Sequence, residues 1–299
     1  MGGVLVNPIQ RLVSTFSIVG FDPQTGEVGI AVQSKFLAAG SVVPWARAGL
    51  GAIAVQSWSN TAYVESAFKM MADGVHPEEI MKTLTDNDEL CALRQVGIVD
   101  CKGQSATFSG DECMEWAGGI CGPNFAAQGN ILVGRETVEA MAATFNASEG
   151  DLSERLVLAL ASGQKAGGDR RGMQSAALYI AKEGGGYGGY NDRYVDIRVD
   201  DHPDPINELR RILTLWRLQF FKTKPGNTVL IKGEVKKFIL GILTKEGYYS
   251  GAADEEWNQT MQKAFTAYSL TENFEEREVE EGYIDREVLE YLQSVHKEG

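Results

Sequence analysis

The order in which the hydrophobic period changes is what most restricts the fold of this chain. Phe16-Ser17-Ile18-Val19 and Val28-Gly29-Ile30-Ala31-Val32-Gln33 are short apolar runs joined by Asp22-Pro23-Gln24-Thr25-Gly26, a pattern that predicts a β-hairpin. Segments around Ser41-Val42-Val43 and Ala52-Ile53-Ala54-Val55-Gln56 add two expected strands. Two helices follow. Tyr63, Ala67, Met70 and Met71 share a face ahead of Gly74, and His76-Pro77 opens a second helix carrying Ile80, Met81 and Leu84. Strands are expected again at 95–99, 106–108 and 130–133. Two more helices carry Val138, Met141, Ala142 and Phe145, then Leu152, Leu156, Val157 and Leu160, the second apolar nearly all round and so expected to be buried. Residues 174–181 read equally as strand or short helix. Residues 194–199 alternate as a strand, and Asp204-Pro205 starts a helix with Ile206, Leu209, Leu213, Trp216 and Phe220 on one face. A doubly wound parallel sheet would alternate strand and helix. Blocks of each predict an α+β fold with segregated layers, and the many Ala, Gly and Ser residues on the strands suit close packing against another layer.

A boundary is expected at Thr223-Lys224-Pro225-Gly226-Asn227. Beyond it the text reads as wholly helical, and residues after 224 hold 15 Asp+Glu against 8 Lys+Arg, a net −7, against −6 for the first 224. The tail is therefore read as a separate unit, giving a two-domain chain of 299 residues with 43% hydrophobic residues. A net charge of −13 argues against a nucleic-acid backbone or an anionic membrane as partner. No uninterrupted apolar run reaches the ~18 residues a membrane span requires, and Met1-Gly2-Gly3-Val4-Leu5-Val6-Asn7 lacks a basic, then apolar, export signal, so a cytoplasmic protein is expected.

The chain has three histidines. His76 and His202 stand directly before prolines in helix-start contexts and His296 lies near the C-terminus, so a histidine general base is not expected, and no G-x-S-x-G elbow is present. Cys91, Cys101, Cys113 and Cys121 contain no C-x-x-C pair and have no nearby histidine, so no metal site is expected, and no cofactor. Gly184-Gly185-Gly186-Tyr187-Gly188-Gly189 satisfies G-x-G-x-x-G, but a strand rather than a helix follows, which suits a loop and not a pyrophosphate site. In Gly167-Gly168-Asp169-Arg170-Arg171-Gly172-Met173-Gln174, glycines bracket an acid and two guanidinium groups. That block reads either as a grip on a substrate carboxylate or amine, or as a solvated turn with a local ion pair.

Six ordered blocks carry a resemblance. They are Thr15-Phe16-Ser17-Ile18-Val19; Gly29 to Phe36; Val42 to Gly49; Gln128-Gly129-Asn130; the Gly167–Gly172 block through Leu178; and Arg193-Tyr194-Val195-Asp196-Ile197-Arg198-Val199-Asp200-Asp201-His202-Pro203. Together, over about residues 15–222, they resemble the DUF1028 family, which is grouped with the N-terminal-nucleophile (Ntn) hydrolases. The resemblance implies a four-layer αββα sandwich over 15–223, preceded by an extension at 1–14. It also implies a mechanism without histidine, in which an N-terminal Thr, Ser or Cys attacks an amide carbonyl and its own α-amine is the general base. Such an amine titrates at about 7.7–8.0, close to working pH. The nucleophile implied is Thr15.

The hairpin gives a register to set beside this. If its turn places Phe21 opposite Val28, Thr15 lies opposite Ser34, with Gln33 and Lys35 adjacent. Ser34 and Asn130 are then candidate oxyanion donors, and Lys35 a group that depresses the amine pKa or stabilises developing charge. Asp169, Arg170, Arg171 and Gln174 are the candidate substrate-binding residues. Lys35 reads equally as a solvated strand-end lysine, and the Asn130 amide equally as a turn closure. Family members typically begin Met-Thr-Phe-Ser, whereas fourteen residues precede Thr15 here. Cleavage between Ser14 and Thr15, a start near Val13, or a non-catalytic protein would each account for them.

The tail resembles a peptidoglycan-binding-like domain, a small all-α three-helix module over about 228–296. The residues that carry this are Val235-Lys236-Lys237-Phe238, Leu243, Gly247-Tyr248-Tyr249-Ser250-Gly251, Asp254, Trp257, Thr260, Ala264, Phe265, Gly282-Tyr283-Ile284-Asp285 and Leu289. Tyr248 and Tyr249 are its candidate ligand-stacking residues, or core. The expected function is hydrolysis of a small-molecule or short-peptide amide, with a non-catalytic binding or scaffold role as the alternative. A homodimer is expected from the small-residue strands and Trp45.

Overall fold

The computed structural model describes residues 15–252 and 256–296. The 1–14 extension with its Ser14–Thr15 junction, and Asp254, lie outside them. The chain forms two compact units that divide at Arg211/Ile212.

In the first unit, β1 (Thr15–Phe21) and β2 (Val28–Ser34) form the expected hairpin. Its turn is closed by Asp22, whose carboxylate accepts the Gln24 N–H at 2.8 Å, and by Gly26 at a φ of 73°. Phe21 pairs with Val28, which carries Thr15 opposite Ser34 as the turn requires. Then come β3 (Pro44–Arg47), β4 (Gly51–Ser57), α1 (Ala62–Ala72), α2 (Pro77–Asp86), β5 (Arg94–Asp100), β6 (Ser105–Ser109), β7 (Gly118–Gly122), β8 (Phe125–Gly129), α3 (Glu136–Ala147), α4 (Leu152–Lys165), β9 (Ser175–Ala181), β10 (Arg193–Val199) and α5 (Pro205–Phe220). Among the described residues, a six-stranded sheet runs β10-β9-β2-β1-β8-β7 and a four-stranded sheet β3-β4-β5-β6, both antiparallel throughout. The sheets stack face to face, α3 and α4 cover the larger one, and α1 and α2 cover the smaller. This is the expected αββα order.

Local chemistry explains the helix ends. α1 stops at Gly74 (φ 76°), whose N–H bonds Met71 O while Val75 N–H bonds Met70 O. The His76 imidazole accepts the Glu78 N–H and Pro77 takes the first position of α2, and Asp151 caps α4. In α4 only Glu154 and Lys165 are exposed, in line with its all-round apolar text.

Two strand expectations shift, and one left open is decided. Ser41-Val42-Val43 is not a strand: a short 3-10 turn occupies Ala39–Ser41 and the strand is β3. Residues 130–133 are not one either, because Ile131 takes a φ of 53° and turns the chain. The strand there is β8, and Leu132 keeps only an isolated bridge to Asp169. The ambiguous 174–181 segment is β9. Trp45 is half-buried, its indole N–H donating to Val42 O at 2.8 Å.

Strand alternation sorts the side chains of β1 and β2. A Cβ at Gly20 would touch Leu156 and Phe145, so the even positions of β1 face the helices. The odd positions, Thr15, Ser17, Val19 and Phe21, face the smaller sheet. Between the sheets, one end of the layer is apolar, with Val19, Phe21, Val28, Ile30 and the alanines 52, 54, 126 and 177. The other end is polar and just as buried.

The second unit holds the end of α5, then β11 (Thr228–Leu230), α6 (Gly233–Lys245), α7 (Gln259–Thr271), β12 (Tyr283–Asp285) and α8 (Arg286–Val295). The three helices pack around Leu240, Leu243, Met261, Phe265, Ile284 and Leu289. A two-stranded ribbon of β11 and β12 joins them, which the helical reading of the tail did not contain. Three-residue strands carry too short a period to read.

Candidate functional site

The polar end of the inter-sheet layer is built where β1 starts and β2, β4 and β8 end. Thr15, Ser17, Ser34, Gln56, Gln95, Gln128 and Asn130 are all fully buried there. The Thr15 hydroxyl donates to Ser34 Oγ at 3.2 Å, and the Asn130 N–H donates to Thr15 O at 3.0 Å. Behind them runs a chain of amides. Gln56 Nε2 and Asn130 Nδ2 both donate to Gln95 Oε1 at 2.8 Å, and Gln95 Nε2 donates to Gly129 O and Ser109 Oγ at 2.7 Å. The Ser17 hydroxyl donates to Gln56 Oε1 and accepts from Gln128 Nε2, each at 2.7 Å. A buried polar group without a partner is costly, so interlocked amides of this kind hold each other in one arrangement.

Thr15, Ser34 and Asn130 are thus brought together. A second group lies across the end of β2. Asp169 is 2% exposed and accepts the Lys35 N–H (3.2 Å), the Arg171 N–H (2.9 Å) and the Arg171 guanidinium (2.9 and 3.2 Å). A carboxylate so engaged anchors its loop, and its oxygens do not face solvent where a substrate amine would approach. Lys35 Nζ donates to Met173 O at 3.1 Å, so the exposed lysine clamps the same loop. The Gln174 N–H bonds Ser34 O at 3.0 Å, which ties this loop to the Thr15 group, and its side chain donates to Asp201. Arg170 is exposed and donates to Leu132 O at 3.3 Å. The guanidinium groups of Arg170 and Arg171 therefore stand at the rim, and Asp169 lies beneath them.

The histidines take no such place. His76 and His202 each use Nδ1 to accept a backbone N–H at a helix start, from Glu78 and Asp204, and His296 follows α8. Among the described residues, no group of three or more His, Cys, Asp or Glu side chains is arranged to hold a metal ion. In the second unit, Tyr249 is buried and donates to Ala252 O, while Tyr248 donates to Thr271 and packs edge-on against Tyr268. Both belong to the core of the module, whose helix-end aromatics fill its interior.

The glutamines were missed from sequence, although a signal existed. Ala-Val-Gln-Ser occurs at 31–34 and again at 54–57. The two copies present opposite faces: in β2 it is Ser34 that faces between the sheets, and in β4 it is Gln56. Gln33, on the helix side, is fully buried and its amide makes no hydrogen bond among the described residues.

Residues 15–209 match the model described as "Family of unknown function (DUF1028)". The chain belongs to the DUF1028 family. The crystal structure of a DUF1028 protein, SPO2555 from Silicibacter pomeroyi, is similar to it at 31% identity and a TM-score of 0.62, over 68% of this chain and 86% of that one. After the DUF1028 region, residues 219–292 match the model described as "Putative peptidoglycan binding domain". No curated protein matches the chain. No helix among the described residues is long and apolar enough to cross a membrane.

Proposed function

We propose that the polar end of the sandwich hydrolyses a C–N amide bond of a small molecule or short peptide, with Thr15 as nucleophile once its α-amine is freed. The observation that carries this reading is the place of Thr15: on a central strand opposite Ser34, hydroxyl aimed between stacked sheets, 3.2 Å from Ser34 Oγ. In the step proposed, the amine takes the hydroxyl proton as Thr15 Oγ adds to the substrate carbonyl. The proton then passes to the departing nitrogen, and water hydrolyses the resulting ester. Ser34 and the Asn130 amide supply dipoles for the oxyanion, and the bond from Asn130 to Gln95 keeps that amide from reorienting as charge develops. Arg170 and Arg171 at the rim favour a substrate bearing a carboxylate.

One observation favours the alternative, a binding or scaffold protein. Thr15 is fully buried and follows Ser14 through a peptide bond, so the uncut chain holds no amine there. The intact mass of protein isolated from its host separates the two. A terminus at Thr15 is expected for the enzyme, and a chain retaining residues 1–14 overturns the free-amine mechanism. With Thr15 exposed, Thr15→Ala is expected to abolish turnover, a loss of at least about 10³-fold, while leaving the unfolding midpoint near that of the parent. Unchanged hydrolysis would remove Thr15 from the role.

A further inference from the structure

The two flanks of the sandwich differ. On one, β6 and β7 lie side by side, with Ser105 Oγ donating to Gly122 O at 2.8 Å, so the sheets are tied together. On the other, β3 ends the smaller sheet over β2 and β9, and the larger sheet runs on to β10. A groove of about 770 Å³ lies there, walled by Trp45 and Arg47 on one side and Tyr179, Asp196 and Arg198 on the other.

Among the described residues no strand pairs with the outer edge of β10. An open edge invites pairing unless it is blunted. β3 is blunted: it has four residues and opens on Pro44. β6 and β7 are tied to each other. β10 has seven residues, with Val195, Ile197 and Val199 on the helix face and Asp196 and Arg198 on the groove face. The loop before it carries Tyr187 and Tyr190, 84% and 91% exposed, the largest exposures among the large hydrophobic side chains described. Aromatic side chains left bare are enriched where proteins meet.

Charge complementarity within β10 favours a second copy of this chain. In antiparallel self-pairing about a twofold axis, residues whose N–H and C=O point outward must meet their own kind, so the axis passes through a residue position. An axis at Asp196 sets Asp196 on itself. An axis at Arg198 sets Arg198 on itself and Asp196 on Asp200. An axis at Ile197 sets Asp196 against Arg198 twice, Val195 against Val199 twice, and Ile197 on itself. Arg198 has no ion-pair partner within its own chain among the described residues, and Asp196 has only the exposed Arg193 at 2.9 Å. The same register carries Tyr190 toward the segment after β10 in the other copy.

We infer that β10 is the interface of a twofold homodimer, paired antiparallel about Ile197 to join two six-stranded sheets edge to edge. This surface is separate from the Thr15 site and does not depend on its chemistry. Sedimentation equilibrium of the full chain is expected to give twice 32.6 kDa at micromolar concentration. Asp196→Arg and Arg198→Asp each turn two attractions into two repulsions, and each is expected to raise the dissociation constant about tenfold or more. The double variant Asp196→Arg/Arg198→Asp restores complementarity and is expected to dimerise as the parent does. An Ile197→Cys chain is expected to form a disulfide-linked dimer under mild oxidation, a readout that holds even if a charge reversal impairs folding. A chain that stays monomeric overturns the inference and leaves the edge to a foreign strand. So does a dimer indifferent to the single reversals, or a double variant no better than either single one.

Discussion

Gly97 shows how closely side chains meet between the sheets. A Cβ there would stand 2.0 Å from Gln128 Oε1 and 2.4 Å from its Cδ. A free glutamine would swing away, but Gln128 is fully buried and its amide donates to Ser17 Oγ. Gly97→Ala is therefore expected to cost about 1–3 kcal/mol as overpacking of a closed interior, read from urea midpoints. Gln128→Ala removes the obstacle, so the double variant is expected to lose less than the two single losses added together. Additive losses would mean the two positions do not collide. The requirement at Gly97 is a side chain's volume, not a backbone torsion, so the glycine had no turn or cap signature to give it away.

The connection between α2 and β5 is held by one ion pair with helpers. Asp88 accepts from Arg94 Nε (2.8 Å), Tyr63 OH (2.8 Å), Leu90 N–H (2.9 Å, through its other oxygen) and Asn60 Nδ2 (3.2 Å), and Arg94 also donates to Trp58 O. Burial alone would raise the Asp88 carboxyl. The Arg94 guanidinium first, then the other hydrogen bonds, outweigh it and hold the group well below the usual carboxylate range. Burial, then the bond to Asp88, pushes the Tyr63 phenol well above its ordinary value. A depressed folded pKa contributes stability that is complete above the unfolded value of about 3.9 and is lost as pH falls through the folded one. Thermal midpoints are expected to drop below about pH 4, and Asp88→Asn to flatten that acid limb. Arg94→Met at neutral pH strands a buried carboxylate, an expected loss of about 3–5 kcal/mol. At this scale much was legible. The Asp22–Gly26 turn placed Thr15 opposite Ser34 because the hairpin has no bulge. The strand β7 was not legible, since Gly118-Gly119-Ile120-Cys121-Gly122 has a loop's composition and is ordered by its neighbours on either side. The glutamines of the polar end were illegible as a group because they come from separate strands and meet only when the sheets stack.

Across the whole molecule, the two units keep separate cores, and the second has its own keystone. Arg277 is 4% exposed, pairs with Asp285 and Glu287, and donates to the carbonyls of Arg217 and Leu218 near the end of α5. Asp285 in turn caps α8 by accepting the Val288 N–H. One guanidinium thus joins a helix end to a helix start. Arg277→Met is expected to lower the transition of the second unit by about 3–5 kcal/mol in scanning calorimetry while that of the first unit stays in place. A single transition lowered as a whole would mean the units unfold as one. The layer between the sheets has a consequence for how such a chain diversifies. With Ala52, Ala54, Ala126, Ala177 and Gly97 facing inward beside Phe21 and Ile30, the interior has little room for a larger side chain at the small positions. Inherited change in what the molecule binds must then accumulate in the loops at the strand ends, where Lys35, Arg170, Arg171 and Gln174 stand, while the layer beneath them tolerates little drift.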